Sequence, residues 1–440
     1  MKAAFVSIRQ NWMGGATLSL GAWLAGALSA GAADWPQYRG PNLDGTTSET
    51  LILKKWPASM KPVWKRTSPN GFSSITVSGG RAFMLETRNV QGAEQEIVVA
   101  VDANSGKEIW AYPLGVGAYN HNGGNAGVRG NDGGDGPRST PSVDGNRVYV
   151  MSANLLLFCL DAASGKRIWY VDLIRQYQGK NITWKNAASP LVDGNMVFVA
   201  GGGPGQALLG IDKTSGKVLW AGQDDAMTHS TPVAATIHGT RQVIFFTQKG
   251  LVSVQPKDGK VLWRYGFPFK VSTAITPVVA GDIVYCSAGY GVGAGACKVT
   301  QSGNSWSATE VLRAEGDKPL ANHWSTPVLK DGHLYGMFQF KEYGSGPIKC
   351  VELPSGRVKW EKPGFGPGNV ILVDGHLVAL SDDGQLVLIE ATPAGYKEVA
   401  RTKMLNGKCW TTPTISNGRI YARSTKEAVC IDVSGKLAAN

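Results

Sequence analysis

The sequence predicts an all-β chain: an eight-bladed β-propeller of four-stranded antiparallel blades, closed by an N-terminal strand. Three observations predict it. A unit of the form Asp-x-x-x-Gly-Lys-x-x-Trp stands at Asp102 to Trp110, Asp161 to Trp169 and Asp212 to Trp220, with variants from Gln255 to Trp263 and Glu352 to Trp360. Two-residue turns of the kind tight hairpins need, where the backbone takes φ > 0, lie between alternating apolar runs at Gly79-Gly80, Asp144-Gly145, Asp193-Gly194, His238-Gly239, Gly281-Asp282, Asp331-Gly332, Asp374-Gly375 and Asn417-Gly418. Ahead of six of those turns stands Ser or Thr followed by Pro, and from Pro141 to Pro327 these prolines fall 42 to 50 residues apart. Four short strands per unit at that period mark a propeller rather than a helical solenoid, and eight turns mean eight blades.

The elements follow in chain order. Residues 1–33 read as an export signal: Lys2 and Arg9 precede an apolar run from Met13 to Leu28, and small residues follow to Ala33. Cleavage would send the chain to the periplasm or outside the cell, while an uncleaved Met13–Ala33 is just long enough to anchor it in a bilayer. Residues 34–440 then form a single propeller domain. Its N-terminal segment, 34–66, ends in Lys61-Pro62-Val63-Trp64, which matches the Lys-x-x-Trp ending of the other units. The last unit stops after Lys436 without its fourth strand, so Pro62 to Lys65 is expected to supply it and close the ring. Within a unit the strands run as Pro to turn, then Arg147 to Met151, Leu156 to Leu160 and a stretch ending in Trp. Residues 115–137 form a Gly-rich insertion between blades one and two, carrying Asn120, His121, Asn122, Asn125, Arg129, Asp132 and Asp135. It reads as a long surface loop.

Composition agrees. Gly is 57 of 440 residues and Trp 14, while charged residues make only 18%, which suits a turn-dense β protein. The 43% hydrophobic content excludes a disordered chain.

The Asp-x-x-x-Gly-Lys-x-x-Trp units, the segment Trp35-Pro36-Gln37-Tyr38-Arg39-Gly40-Pro41 and the Ser/Thr-Pro strand starts resemble the PQQ-like, quinoprotein-type eight-bladed propeller repeat. That repeat is shared by PQQ-dependent dehydrogenases and the outer-membrane assembly lipoprotein BamB, and the resemblance covers the whole chain after residue 33. It implies the fold; it does not by itself imply an activity.

The recurring residues are assigned to structure. Trp110, Trp169, Trp220, Trp263 and Trp360 should dock each blade on its neighbour, with Asp102, Asp161 and Asp212 accepting hydrogen bonds from their own turns. Cys159, Cys350 and Cys430 share one repeat position in blades too far apart to pair and read as buried thiols. Cys286 and Cys297 bracket one hairpin, and a disulfide there is left open. The net charge of +11 concentrates in Lys54, Lys55, Lys61, Lys65, Arg66 and Arg81, and again between Lys397 and Lys426. Ring closure should merge these into one basic sector at blade eight, pointing to contact with an anionic surface rather than nucleic acid in an exported chain.

Functional residues are sought where the repeat rule lapses. Just before the innermost strands stand Arg138, His229, His323, Trp324 and Trp410, with Trp184 slightly upstream. These should ring one mouth of the channel and hold a partner or a small planar anion, with Arg138 as anchor, indoles as walls and a histidine tuning binding between about pH 5 and 8. The sequence holds no Gly-x-Ser-x-Gly elbow, phosphate-binding loop, His/Cys metal cluster, Cys-Cys pair or Cys-x-x-Cys-His. The expectation is therefore a monomeric, exported, non-catalytic binding or assembly scaffold of the cell envelope, with no resident cofactor or metal and an envelope protein or small anionic ligand as partner. The alternative is a PQQ-dependent alcohol or sugar dehydrogenase, with PQQ and calcium at the channel mouth.

Overall fold

A computed structural model describes residues 34–50, 54–57, 60–118, 136–318, 320–339 and 344–435. The expected leader, 1–33, and most of the Gly-rich insertion, including all seven of its polar residues named above, lie outside the described residues. Gly115 and Val116 belong to the outer strand of blade one instead, Glu108–Val116.

Eight antiparallel sheets follow one another along the chain, spanning 76–116, 142–172, 191–222, 233–266, 278–315, 328–362, 369–403 and 414–432. Each starts with a short inner strand, and all eight predicted turns sit between first and second strands. Ring closure is as expected but two residues later: Trp64–Thr67 pairs antiparallel with Glu427–Asp432, Trp64 opposite Cys430 and Thr67 opposite Glu427.

The docking role of the tryptophans is visible atom by atom. The indole N–H of Trp64, Trp110, Trp169 and Trp220 donates to the carbonyl of Ala103, Ala162, Lys213 and Pro256 in the next blade's turn, at 3.0, 3.1, 3.2 and 2.8 Å. The ring lies flat on the turn glycine: a Cβ on Gly165 would stand 2.6 Å from Trp110, and one on Gly216 2.7 Å from Trp169. That is why the turn demands Gly, which also supplies φ of +71° and +74° there. Trp263 departs from the scheme. The facing turn of blade five, between Ser302 and Ser305, lacks the motif, so this indole donates to Gln242 Oε1 in its own blade at 2.6 Å. The turn acids behave as read: Asp102, Asp161 and Asp212 accept from Ser105, Ser164 and Ser215, which lowers their pKa.

The Ser/Thr-Pro starts have a function the sequence did not disclose. Their hydroxyls receive backbone N–H groups from the preceding blade: Thr412 N to Ser74 Oγ, Ser74 N to Thr140 Oγ1, Thr140 N to Ser189 Oγ, Ser189 N to Thr231 Oγ1 and Thr276 N to Thr326 Oγ1, all at 2.9–3.0 Å. Buried amides at the inner edge are thereby satisfied from blade to blade.

The N-terminal segment does more than close the ring. Residues 34–50 run along the inner strands. Trp35 exchanges two hydrogen bonds with Val77 of blade one, Pro36 O receives the Val143 N–H of blade two, and Gln37 bonds Val192 of blade three. Arg39, buried, donates to Thr326 and Pro327 O of blade six; Thr46–Thr47 pairs in parallel with blade seven; Glu49 accepts the Asn417 and Gly418 amides of blade eight. A cavity of about 290 Å³ remains beside it against blades four and five.

All six cysteines are free thiols and buried. Cys286 faces Gly295 and Cys297 faces Val284, an offset of two ladder positions, which answers the disulfide question left open above. The basic sector is largely compensated by acids: Lys54 pairs with Asp374 and Lys65 with Glu427, both more than 300 residues away, Arg66 with Glu86 and Glu108, Lys403 with Asp383, and Arg401 with its near neighbour Glu398. Arg423 is fully buried, giving its N–H groups to carbonyls of Leu85 and Asn70. It holds the seam between blades eight and one and is no part of a surface.

Candidate functional site at the channel mouth

The six expected residues converge, together with two the sequence reading missed. Trp410 stacks on Phe72 (4.8 Å between ring centres, 22°) and packs on Trp324 (4.7 Å). Trp324 meets His323 edge-on at 5.0 Å, His323 meets Tyr290 at 5.0 Å, and Tyr290 stacks on Trp184 at 6.2 Å and 17°. Arg138 completes the circuit, with its guanidinium 5.7 Å over Phe72 and a hydrogen bond to Trp184 O at 3.2 Å. The result is a closed aromatic collar. Its members come from segments that precede inner strands, which crowd together because eight blades point their narrow ends at one axis.

Phe72 occupies in blade one the place that Trp410 holds in blade eight; aligning that unit, which lacks the Pro, would have found it. Tyr290 lies between the second and third strands of blade five, where no repeat signal points to it.

The collar is held from beneath. His229 is buried; its Nε2–H donates to Lys185 O at 2.7 Å, and its Nδ1 accepts from Ser272 Oγ at 2.7 Å. Burial first, and the nearby Arg138 charge second, depress its pKa from 6.5 to about 4. His229 is therefore neutral between pH 5 and 8 and is not the histidine that could tune binding there. Trp184, Lys185 and Tyr290 adopt φ of +71°, +63° and +61°, a left-handed conformation costly for such side chains and held here by the collar contacts. The Trp324 indole donates to Pro367 O at 2.9 Å, and Lys408 Nζ sits 5.8 Å over Trp410.

The face so formed offers aromatic surfaces and the cations Arg138, Lys185 and Lys408. Asp317, beside Tyr290, is taken up by the Gly291 amide. Among the described residues no group of three or more His, Cys, Asp and Glu is placed to hold a metal ion. A quinone held through calcium needs carboxylate donors and a slot between its walls. Here Trp324 and Trp410 already fill each other's faces, and the collar's own side chains are cationic, aromatic or imidazole. Among the described residues, the side chains of the collar do not fit that group.

A family profile described as outer membrane protein assembly factor BamB matches residues 93–337, more than half of the chain. The chain belongs to this BamB-type family. BamB of Yersinia pestis is 22% identical to this BamB-type propeller over 286 residues, covering 63% of this chain and 69% of that one. A tetrathionate hydrolase of Acidithiobacillus ferrooxidans is 25% identical over 316 residues, 64% of this chain and 56% of the hydrolase. The quinohemoprotein alcohol dehydrogenase of Comamonas testosteroni shares the fold of the BamB-type propeller, with a TM-score of 0.63 at 13% identity over 92% of this chain and 81% of its own. That likeness speaks for architecture alone.

Proposed function

We propose that this BamB-type propeller is exported by its N-terminal leader and acts in the cell envelope as a non-catalytic scaffold, holding an envelope protein against the aromatic collar. The observation that carries this reading is the collar's self-packed state. Its rings pack on one another by stacked, tilted and edge-on contacts in a closed circuit, so it presents an aromatic and cationic face suited to a protein surface rather than a slot for a small planar ligand. Membership of the BamB-type family supports the same reading.

The test is site-specific photocross-linking in intact cells from Phe72 and, as a control on the opposite end of the channel, from His238. A single envelope protein, identified by mass spectrometry and cross-linked from Phe72 only, is the expected result. Equal labelling from both positions overturns the collar as the contact. Stoichiometric retention of PQQ by the purified protein in the presence of calcium, read by absorbance and mass, overturns the non-catalytic reading in favour of a dehydrogenase.

A further inference from the structure

Among the described residues, each blade ends in an outer strand whose far edge has no neighbour in its sheet. Such edges invite pairing with other chains and are usually blunted by charged side chains. Blade six is blunted in this way: Lys359 and Glu361 flank Trp360 and are exposed. Blade two is not. At the equivalent positions Ile168 and Tyr170 flank Trp169 and are 44% and 49% exposed, and Ile174 follows in the next turn at 43%.

The apolar surface continues inward. Tyr170 stacks on Phe158 with ring centres 6.1 Å apart, and Phe158 meets Tyr112 of blade one edge-on at 6.0 Å. The start of the strand is cationic. Lys166 and Arg167 are exposed there, Arg167 lying 4.8 Å over the Tyr170 ring, while Arg175, exposed at the far end, is paired with Asp172 at 3.6 Å. The nearby acids are occupied: Asp161 accepts from Ser164, and Asp172 from the Arg175 amide.

We infer that the outer strand of blade two, Arg167–Asp172, is a docking edge for an extended segment of a partner protein with alternating apolar and acidic residues. The segment adds to the sheet as a fifth strand. Its main chain takes the unpaired edge, its apolar residues cover Ile168 and Tyr170, and its acids meet Lys166 and Arg167. This edge lies on the outer rim and is separate from the collar, so either can fail without the other.

The experiment uses the full chain and a fluorescent synthetic peptide of alternating valine and glutamate. Binding is expected for the native protein. The double substitution Ile168→Lys and Tyr170→Glu, which copies blade six's own Lys359-Trp360-Glu361 into blade two, should weaken it at least about tenfold with an unchanged melting temperature. Tyr170→Ala is the second variant, and should also weaken binding. A peptide N-methylated at alternate residues, unable to form the ladder, should not bind. No binding of the parent peptide, equal binding by both variants, or equal binding of the methylated peptide overturns the inference. So does loss, in the double variant, of binding to phosphatidylglycerol vesicles when the peptide itself does not bind, because the edge would then be a lipid contact.

Discussion

His229 lies beneath the collar as a neutral, buried imidazole, and the cost of charging it sets a measurable pH dependence. Its pKa is about 4 in the fold against 6.5 for an ordinary histidine, so below pH 6.5 the unfolded chain binds a proton that the folded chain refuses. Stability therefore falls as pH drops from 6.5 towards 4. At pH 5 the unfolded imidazole is nearly all protonated and the folded one nearly all neutral, which works out to about 2 kcal/mol lost relative to pH 7. The perturbation is His229→Gln, which removes the titrating group. Urea unfolding of both proteins at pH 7, 6 and 5 gives the difference in stability between them. Glu49 and Asp382, whose carboxyl pKa values burial raises, contribute with the opposite sign, but to both proteins alike. The native advantage over the variant should shrink by about 2 kcal/mol between pH 7 and 5, with most of the change below pH 6.5. A difference that stays constant across that range would show that His229 titrates normally in the fold, and the account of the collar's underside would be wrong.

The other expectations concern packing, closure and capture. Trp220→Ala should cost roughly 3 to 5 kcal/mol in denaturant unfolding, since it empties the space over Gly259 and strips Pro256 O of its donor; full stability with loss of partner binding would contradict the docking role. Deleting 34–66 should sharply lower the melting temperature, because both the closing strand and the bonds to the inner strands are lost; an unchanged value would refute closure by this segment. Arg423→Met should destabilise by about 1 to 3 kcal/mol by leaving buried carbonyls without a donor, whereas the more exposed Lys65→Ala should have little effect; equal effects would contradict the seam assignment. Arg138→Ala combined with Trp324→Ala should abolish the cross-link from Phe72 while the β circular dichroism is retained, and an undiminished cross-link would move the contact away from the collar.

Much of the architecture was legible because it recurs. The Asp, Gly and Trp of one unit meet the next unit in the same way at each step, so a pattern of a few residues repeated along the chain reports a three-dimensional contact: Trp110 on Gly165 and Trp169 on Gly216 are one interaction written twice. The candidate site was legible for the opposite reason, since Arg138, His229, Trp324 and Trp410 break the repeat at equivalent places. Tyr290 escaped notice because it reaches the collar from a loop with no counterpart elsewhere, and the hydrogen bond of Trp263 within its own blade leaves no trace in the repeat because blade five lacks the turn its indole would have met.

By itself the sequence determined the number of blades, the register of their hairpins and the closing of the last blade by the first strand, because those depend on neighbours in the repeat. Only the tertiary structure decided that Arg39 reaches blade six, that Arg423 is buried at the seam, that the lysines near Trp64 meet acids hundreds of residues away, and that His229 is neutral. The physical reason is that closing a ring brings together residues with no fixed spacing along the chain. Their burial, and hence their charge and partners, comes from that encounter and leaves no periodic trace in the order of amino acids.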